Sequence, residues 1–252
     1  MAEMMKGNEA IAEAAIRAGA RFYAGYPITP SSEIMEYLSW RMNEVGGAFV
    51  QAESELAGIN MVIGASSCGV RALTASSGPG ISLKQEGIST LCDEGLPAVV
   101  ITQVRYGNGL GTLFTSQCDY HRETRGGGQG DYRCIVLCPS SIQEFVDLML
   151  PAYELAEKYR IVTIMMGEGT LGQMMEPVEL PDFVEPKRTP WALNGHYTYK
   201  KIGIFERDSM AEAVELRAKY AEIKENEQRW EEEDIADADY VFVAYGVPGR
   251  AT

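Results

Sequence analysis

The sequence predicts an α/β protein: a mostly parallel sheet with helices on both faces. Three observations carry that reading. Short apolar runs alternate with amphipathic segments along most of the chain, the order expected of βα units. The run at 96–103 is apolar almost throughout, as in a strand covered on both sides. A glycine loop at 76–80 opens a helix directly after a strand-like run.

The elements follow in order. Ala10, Ile11, Ala14, Ala15 and Ala18 form one apolar stripe, so 7–19 reads as a helix with Gly19 as terminator. A short strand at 21–25 runs into Tyr26-Pro27-Ile28-Thr29-Pro30, which is extended or turned because each proline biases its predecessor away from the helix. Ser31 or Ser32 caps a helix to about Val45, ended by Gly46-Gly47. After a strand at 48–51, Ala57, Gly58, Met61, Val62 and Ala65 recur at helical spacing. A strand at 71–75 leads through the glycine loop to a helix near 82–91, and strands are expected at 96–103 and 135–137. Ser140-Ser141-Ile142-Gln143-Glu144 offers two overlapping capping boxes before a helix to about Tyr159, and 160–166 is a strand. From 176 to 199 prolines at 177, 181, 186 and 190 predict an extended connector on the surface. A long polar helix is expected over 208–234 and a new strand and loop over 239–246. No internal repeat is found.

Composition narrows the function. The 252 residues carry 46% apolar and 23% charged side chains, an ordinary globular balance. The formal charge of −14 argues against nucleic acid and anionic membrane surfaces as partners. Between 206 and 239 there are 13 acids and 5 bases, so −8 of that charge lies in one segment, read as a solvated helix face. There is no signal-like N-terminal stretch and no apolar run long enough to span a bilayer, so a cytoplasmic protein is expected. The five cysteines (68, 92, 118, 134 and 138) form no C-x-x-C pair. Cys134 and Cys138 are expected on one face of a strand, as small buried hydrophobes. The spacing does not supply an iron–sulfur site. His121 and His196 lie far apart with no ligand cluster, and no metal site is expected.

Two carboxylates stand at the strand–helix junction Phe49-Val50-Gln51-Ala52-Glu53-Ser54-Glu55-Leu56-Ala57-Gly58. A carboxylate there can simply oppose the helix dipole. Together with Gly25-Tyr26-Pro27-Ile28-Thr29-Pro30-Ser31-Ser32-Glu33 upstream and Thr74-Ala75-Ser76-Ser77-Gly78-Pro79-Gly80 downstream, however, the segment resembles the pyrimidine-binding module of thiamine diphosphate enzymes. More narrowly, it resembles the α subunit of 2-oxoacid:ferredoxin oxidoreductases, nearest the 2-oxoisovalerate and 2-oxoglutarate types. The resemblance covers nearly all of the chain. It implies a domain over 1–235, made of the pyrimidine module, the connector and the acidic helix. It also implies the start of a second α/β domain at 236–252, and hence a truncated piece of a longer subunit.

The resemblance further implies residue roles. The cofactor serves as its own general base once a carboxyl group hydrogen-bonds its pyrimidine ring, and a glutamate in an apolar crevice suits that task. Glu55 would take the role, with Glu53 as the alternative. Pro27 and Ile28 would pack against the pyrimidine, and Ser77 and Gly78 would also line the cofactor. Thr29, held between two prolines, would face the 2-oxoacid; otherwise its hydroxyl bonds its own turn. Arg105, following the strand 96–103, would bind the substrate carboxylate bidentately, or else be a surface arginine. Tyr106 and Leu110 depart from the family's usual loop and would add bulk beside that carboxylate.

The loop at 125–132 resembles the branched-chain type, which often has histidine where Gln129 stands; by itself it reads as a mobile loop. No dinucleotide fingerprint is present, since Gly107-x-Gly109-x-Gly111 has the wrong third spacing. The family's Gly-Asp-Gly segment for magnesium diphosphate is also absent. A β subunit would therefore supply the diphosphate half, the magnesium and the iron–sulfur cluster, with γ and ferredoxin-like δ subunits as further partners. The implied reaction converts a 2-oxoacid, coenzyme A and oxidised ferredoxin to acyl-CoA, carbon dioxide and reduced ferredoxin. Two alternatives stay open: a non-oxidative thiamine diphosphate half-enzyme, and a catalytically silent scaffold whose acidic helix binds a partner.

Overall fold

The computed structural model describes residues 2–185, 189–193 and 209–252. The elements run β1 (Glu3–Lys6), α1 (Gly7–Arg17), β2 (Phe22–Gly25), α2 (Ser32–Glu44), β3 (Ala48–Gln51), α3 (Glu55–Ser67), β4 (Ala72–Ser76), α4 (Pro79–Asp93) and β5 (Ala98–Val104). They continue with α5 (Tyr120–Arg125), β6 (Ile135–Leu137), α6 (Ile142–Asp147), α7 (Met149–Tyr159), β7 (Val162–Glu168), α8 (Gly169–Gln173), β8 (Met175–Val178), α9 (Ser209–Asn226) and α10 (Gly246–Ala251). Six strands form one sheet in the order β3-β2-β4-β5-β7-β6, every neighbouring pair parallel. Burial explains the apolar runs: all seven residues of β5 and all seven of β7 are buried. Helices pack in two groups, α1 with α2, α6 and α7, and α3 with α4.

α1 is buried on more than its alanine stripe. Asn8 and Glu13 also lie in the interior. Burial pushes the Glu13 carboxyl up, but hydrogen bonds from Arg41 and Arg17, each at 2.9 Å, outweigh it and hold the group below its ordinary value.

Several expectations are corrected. Residues 176–178, assigned to the surface connector, belong to β8 (Met175–Val178), which pairs antiparallel with β1, as local pattern did not reveal. The expected helix to Tyr159 is broken into α6 and α7, because Pro151 has no amide to offer the Asp147 carbonyl. α4 starts at Pro79 rather than near 82, since proline at the first turn needs no amide partner. The polar helix ends at Asn226 and not near 234. Residues 239–246 form no strand; Tyr240, Val241, Phe242 and Val243 are exposed, with no strand beside them to pair with among the described residues. Cys134 and Cys138 flank β6 and do not lie on it. Parts of the connector, the start of the 208–234 helix and His196 lie outside the described residues.

Candidate active site

Because β3, β2, β4 and β5 are parallel neighbours, their C-terminal ends share one edge of the sheet. The chain runs from β2 outward to β3, then crosses back to β4 on the other side of β2. That reversal falls between β2 and β4, and in an open α/β sheet the crevice at such a switch point is the usual place for a ligand. The four loops leaving these strands carry Thr29, Glu55, Ser77 with Gly78, and Arg105. They come together although they are separated by up to 76 positions in sequence.

Glu55 opens α3. Ser54 caps the helix, its Oγ accepting from the Ala57 amide at 3.2 Å. Glu55 is 6% exposed, whereas Glu53 faces solvent. Opposite it stands the first turn of α4. A Cβ at Gly80 would lie 2.2 Å from Ser76 Oγ and 2.5 Å from Glu55 Oε1, so the missing side chain is what gives the carboxylate its space. The Ser76 and Ser77 hydroxyls are buried without partners among the described residues. Lys84 is fully buried in the same wall. Its Nζ donates to Thr74 Oγ1 at 3.0 Å and to the Glu55 carbonyl at 3.4 Å. Burial pulls the Lys84 ammonium down to about 8, against the pull of the Glu55 charge. The expected apolar crevice is thus a polar one.

On the other side of the crevice, Thr29 is exposed and Pro27 and Ile28 are half-buried. The turn closes through Ser31, whose amide and hydroxyl both donate to the Ile28 carbonyl at 2.9 and 2.8 Å. The Thr29–Pro30 peptide is cis. Arg105 is half-buried. Its Nη1 donates to the Thr29 carbonyl at 2.7 Å and its Nη2 to the Leu110 carbonyl, while Nε is buried without a partner. The arginine therefore braces two loops in addition to facing the crevice. Gly78, at φ +48°, brings the backbone close: a Cβ there would sit 3.0 Å from Arg105 Nε. Tyr106 and Leu110 are exposed, at 56% and 81%. Neither the cleft lined by Arg71, Tyr153 and Trp191 nor that between Leu171, Met174 and Val247 includes any of these residues.

Sequence reasoning missed three features. Lys84 stands on the buried stripe Ile81, Lys84, Ile88, Leu91 at helical spacing, and a lysine on a core stripe was the available signal. Arg122 Nη1 donates to the Gly78 carbonyl at 3.0 Å, while its other nitrogens meet Asp119 and Glu123. Burial raises the Glu123 carboxyl, and Arg122 opposes that shift. The loop over 125–132 is tied down: Tyr132 Oη accepts from the Gly127 and Gly128 amides at 3.1 and 2.9 Å and donates to Gln85 Oε1 at 2.7 Å. Among the described residues no group of three or more His, Cys, Asp or Glu could hold a metal ion, and no helix is long and apolar enough to cross a membrane.

Comparison with known proteins gives consistent matches. The family model described as "Pyruvate flavodoxin/ferredoxin oxidoreductase, thiamine diP-bdg" matches residues 13–239. Ketoisovalerate oxidoreductase subunit VorB of Methanothermobacter marburgensis is 49% identical over 255 residues, covering 98% of this chain and 72% of the relative. 2-Oxoglutarate synthase subunit KorA of Methanocaldococcus jannaschii is 38% identical over 281 residues, covering 98% of this chain and 76% of the relative. Among solved structures, 2-oxoglutarate:ferredoxin oxidoreductase from Magnetococcus marinus, described with 2-oxoglutarate, coenzyme A and succinyl-CoA bound, superposes with a TM-score of 0.80 at 25% identity. The match covers 91% of this chain and 46% of that one, so this chain spans less than half of that solved chain's length. On these matches the chain belongs to the pyruvate flavodoxin/ferredoxin oxidoreductase family, in the thiamine diphosphate-binding part of its 2-oxoacid-oxidising subunits.

Proposed function

We propose that this chain supplies the pyrimidine half of a thiamine diphosphate site, and that its substrate is a branched 2-oxoacid such as 2-oxoisovalerate. The assembled enzyme would form acyl-CoA and carbon dioxide and pass two electrons to ferredoxin. The observation that carries the reading is the buried Glu55 carboxylate, given room by Gly80, at the crevice between β2 and β4.

The residues fit the cofactor. A carboxylate, two unpartnered buried hydroxyls and a space kept open by a glycine suit a flat, polar ring such as an aminopyrimidine. Glu55 would hold the ring nitrogen, and Pro27, Ile28, Ser77 and Gly78 would line the cofactor. When bound, thiamine diphosphate supplies the electron sink for decarboxylation, with its own aminopyrimidine as general base. Glu55 would share one proton with the ring and orient it. Its burial favours it over the exposed Glu53. Thr29 and Arg105 bind the substrate carboxylate, and Arg105 does so with the donors its two carbonyl contacts leave over. Lys84 places a positive charge beside Glu55. A β subunit, with γ and δ subunits, would hold the diphosphate, magnesium and iron–sulfur clusters.

A second substrate reading has one observation in its favour. Sequence alone places no second base near Arg105, yet Arg122 reaches the Gly78 carbonyl and so approaches the same spot, as a second carboxylate of 2-oxoglutarate would need. Asp119 and Glu123 already neutralise it, and the VorB relative is the more similar, which favours the branched substrate. Steady-state kinetics of the complex with 2-oxoisovalerate, phenylglyoxylate, pyruvate and 2-oxoglutarate tests this. A clear preference for 2-oxoglutarate would refute the branched-substrate reading.

A further inference from the structure

Asn8 begins α1, far in sequence from the crevice, and is fully buried. Its side chain spends every donor it has. Nδ2 donates to the Pro30 carbonyl and to Glu33 Oε2, both at 2.7 Å, and Oδ1 accepts from Gln103 Nε2 at 3.1 Å. Pro30 follows Thr29 directly. Gln103, also fully buried, precedes Arg105 by two residues on β5. Arg105 closes the circuit by donating to the Thr29 carbonyl at 2.7 Å. Thr29, Pro30, Asn8, Gln103 and Arg105 thus form a ring of backbone and hydrogen bonds that joins the loop after β2 to the end of β5. The far side is tight as well, since a Cβ at Gly172 would lie 2.3 Å from Asn8 Oδ1.

Anchoring α1 does not explain this asparagine. Ala10, Ile11, Ala14, Ala15 and Ile16 are already fully buried in the core, and an apolar residue at position 8 would avoid the desolvation of an amide. A buried polar network that is nearly fully satisfied instead selects one arrangement of the groups it joins. Here those groups are the two loops that carry Thr29 and Arg105, together with Glu33 on α2. We infer that Asn8, acting through Gln103 and Pro30, is a positioning residue that fixes the spacing of Thr29 and Arg105 for the carboxylate of the 2-oxoacid. The inference rests on the proposal that Thr29 and Arg105 bind that carboxylate.

The test is steady-state kinetics of the enzyme complex carrying Asn8→Ala, Thr29→Val, Arg105→Lys and the Asn8→Ala/Thr29→Val pair, with 2-oxoisovalerate as substrate and thiamine diphosphate affinity measured alongside. Asn8→Ala should raise the substrate KM by ~10-fold with kcat within ~3-fold, the pattern of lost substrate binding, and leave cofactor affinity unchanged. In the Thr29→Val background the same change should add clearly less than its ~10-fold effect alone, because part of that effect passes through Thr29. Independent, multiplying effects, or a joint loss of kcat and cofactor affinity, would overturn the inference and leave Asn8 a structural residue. If Thr29→Val and Arg105→Lys raise KM while Asn8→Ala does not, the inference alone fails. If neither of those two raises KM, the carboxylate reading fails and the inference with it. Should the Asn8→Ala complex not assemble, Gln103→Met decides the matter in the same assay, since it removes the donor to Asn8 while Asn8 keeps Pro30.

Discussion

The two walls of the crevice are built differently. On one, Glu55, Ser76, Gly80 and Lys84 are buried together, and a single methyl at Gly80 would meet both Ser76 Oγ and Glu55 Oε1. On the other, Thr29, Tyr106 and Leu110 are exposed, and the loops are held largely through their carbonyls, from Arg105 to Thr29 and Leu110 and from Asn8 to Pro30. A wall closed by packing has one answer. A wall closed by backbone bonds leaves its side chains available to whatever lies against it. Chemistry that must not vary therefore belongs on the first wall and substrate choice on the second.

The comparison breaks first at Glu55. Glu55→Gln keeps the shape and loses the ionisable proton, and hydrogen–deuterium exchange at the thiazolium carbon in the complex should slow by ~100-fold or more. Glu53→Gln, on the exposed side of the same junction, should do much less. An unchanged exchange rate in Glu55→Gln would remove the assignment.

Gly80→Ala tests whether space alone matters. The new methyl lands on Glu55 Oε1 and Ser76 Oγ, the ends of side chains that can turn away. Catalysis should fall by ~10-fold or more, at the scale of a misplaced reacting group, while the unfolding midpoint moves little. Equal activity would show that Glu55 does not need its present position.

Lys84 gives a pH signature. Its ordinary value is 10.5 and the folded protein depresses it to about 8. Below pH 8 both folded and unfolded chains carry the proton, and the fold bears the full cost of burying the charge. Between about 8 and 10.5 the folded protein gives up its proton first, so this contribution to stability rises with pH across that window. Lys84→Met should then stabilise the protein by at most ~3 kcal/mol below pH 8, the gain shrinking toward pH 10.5. Urea unfolding at pH 7 and pH 10 reads this directly, and a gain that does not shrink with pH would contradict it. Activity should move the other way, since Glu55 loses the positive charge beside it.

The smallest effects belong to the open wall. Tyr106→Ala and Leu110→Ala should reorder apolar 2-oxoacids by only a few-fold each, below the ~1–3 kcal/mol that a buried apolar contact discriminates, because both side chains are exposed. Competition assays between 2-oxoisovalerate and phenylglyoxylate measure that ranking. A ranking unchanged in both variants would place the substrate side chain elsewhere.

Local chemistry was legible in the sequence wherever neighbours along the chain decide the outcome. Ser54 caps α3 and brings Glu55 to its first turn, the prolines keep 26–30 out of a helix, and alternating runs announce parallel strands. Those effects act within a turn or two, so periodicity and capping chemistry report them. Only the tertiary structure decided the strand order β3-β2-β4-β5-β7-β6, and with it the meeting of four loops at one edge. It also decided that Asn8 touches Pro30 and Gln103 across 22 and 95 positions, and that Lys84 lies beside Glu55. It turned 175–178 into a strand because β1 is there to pair with it, and left 240–243 exposed with no strand alongside among the described residues. Pairing and burial of this kind depend on which distant segment arrives as neighbour, and a strand's own residues carry no record of that.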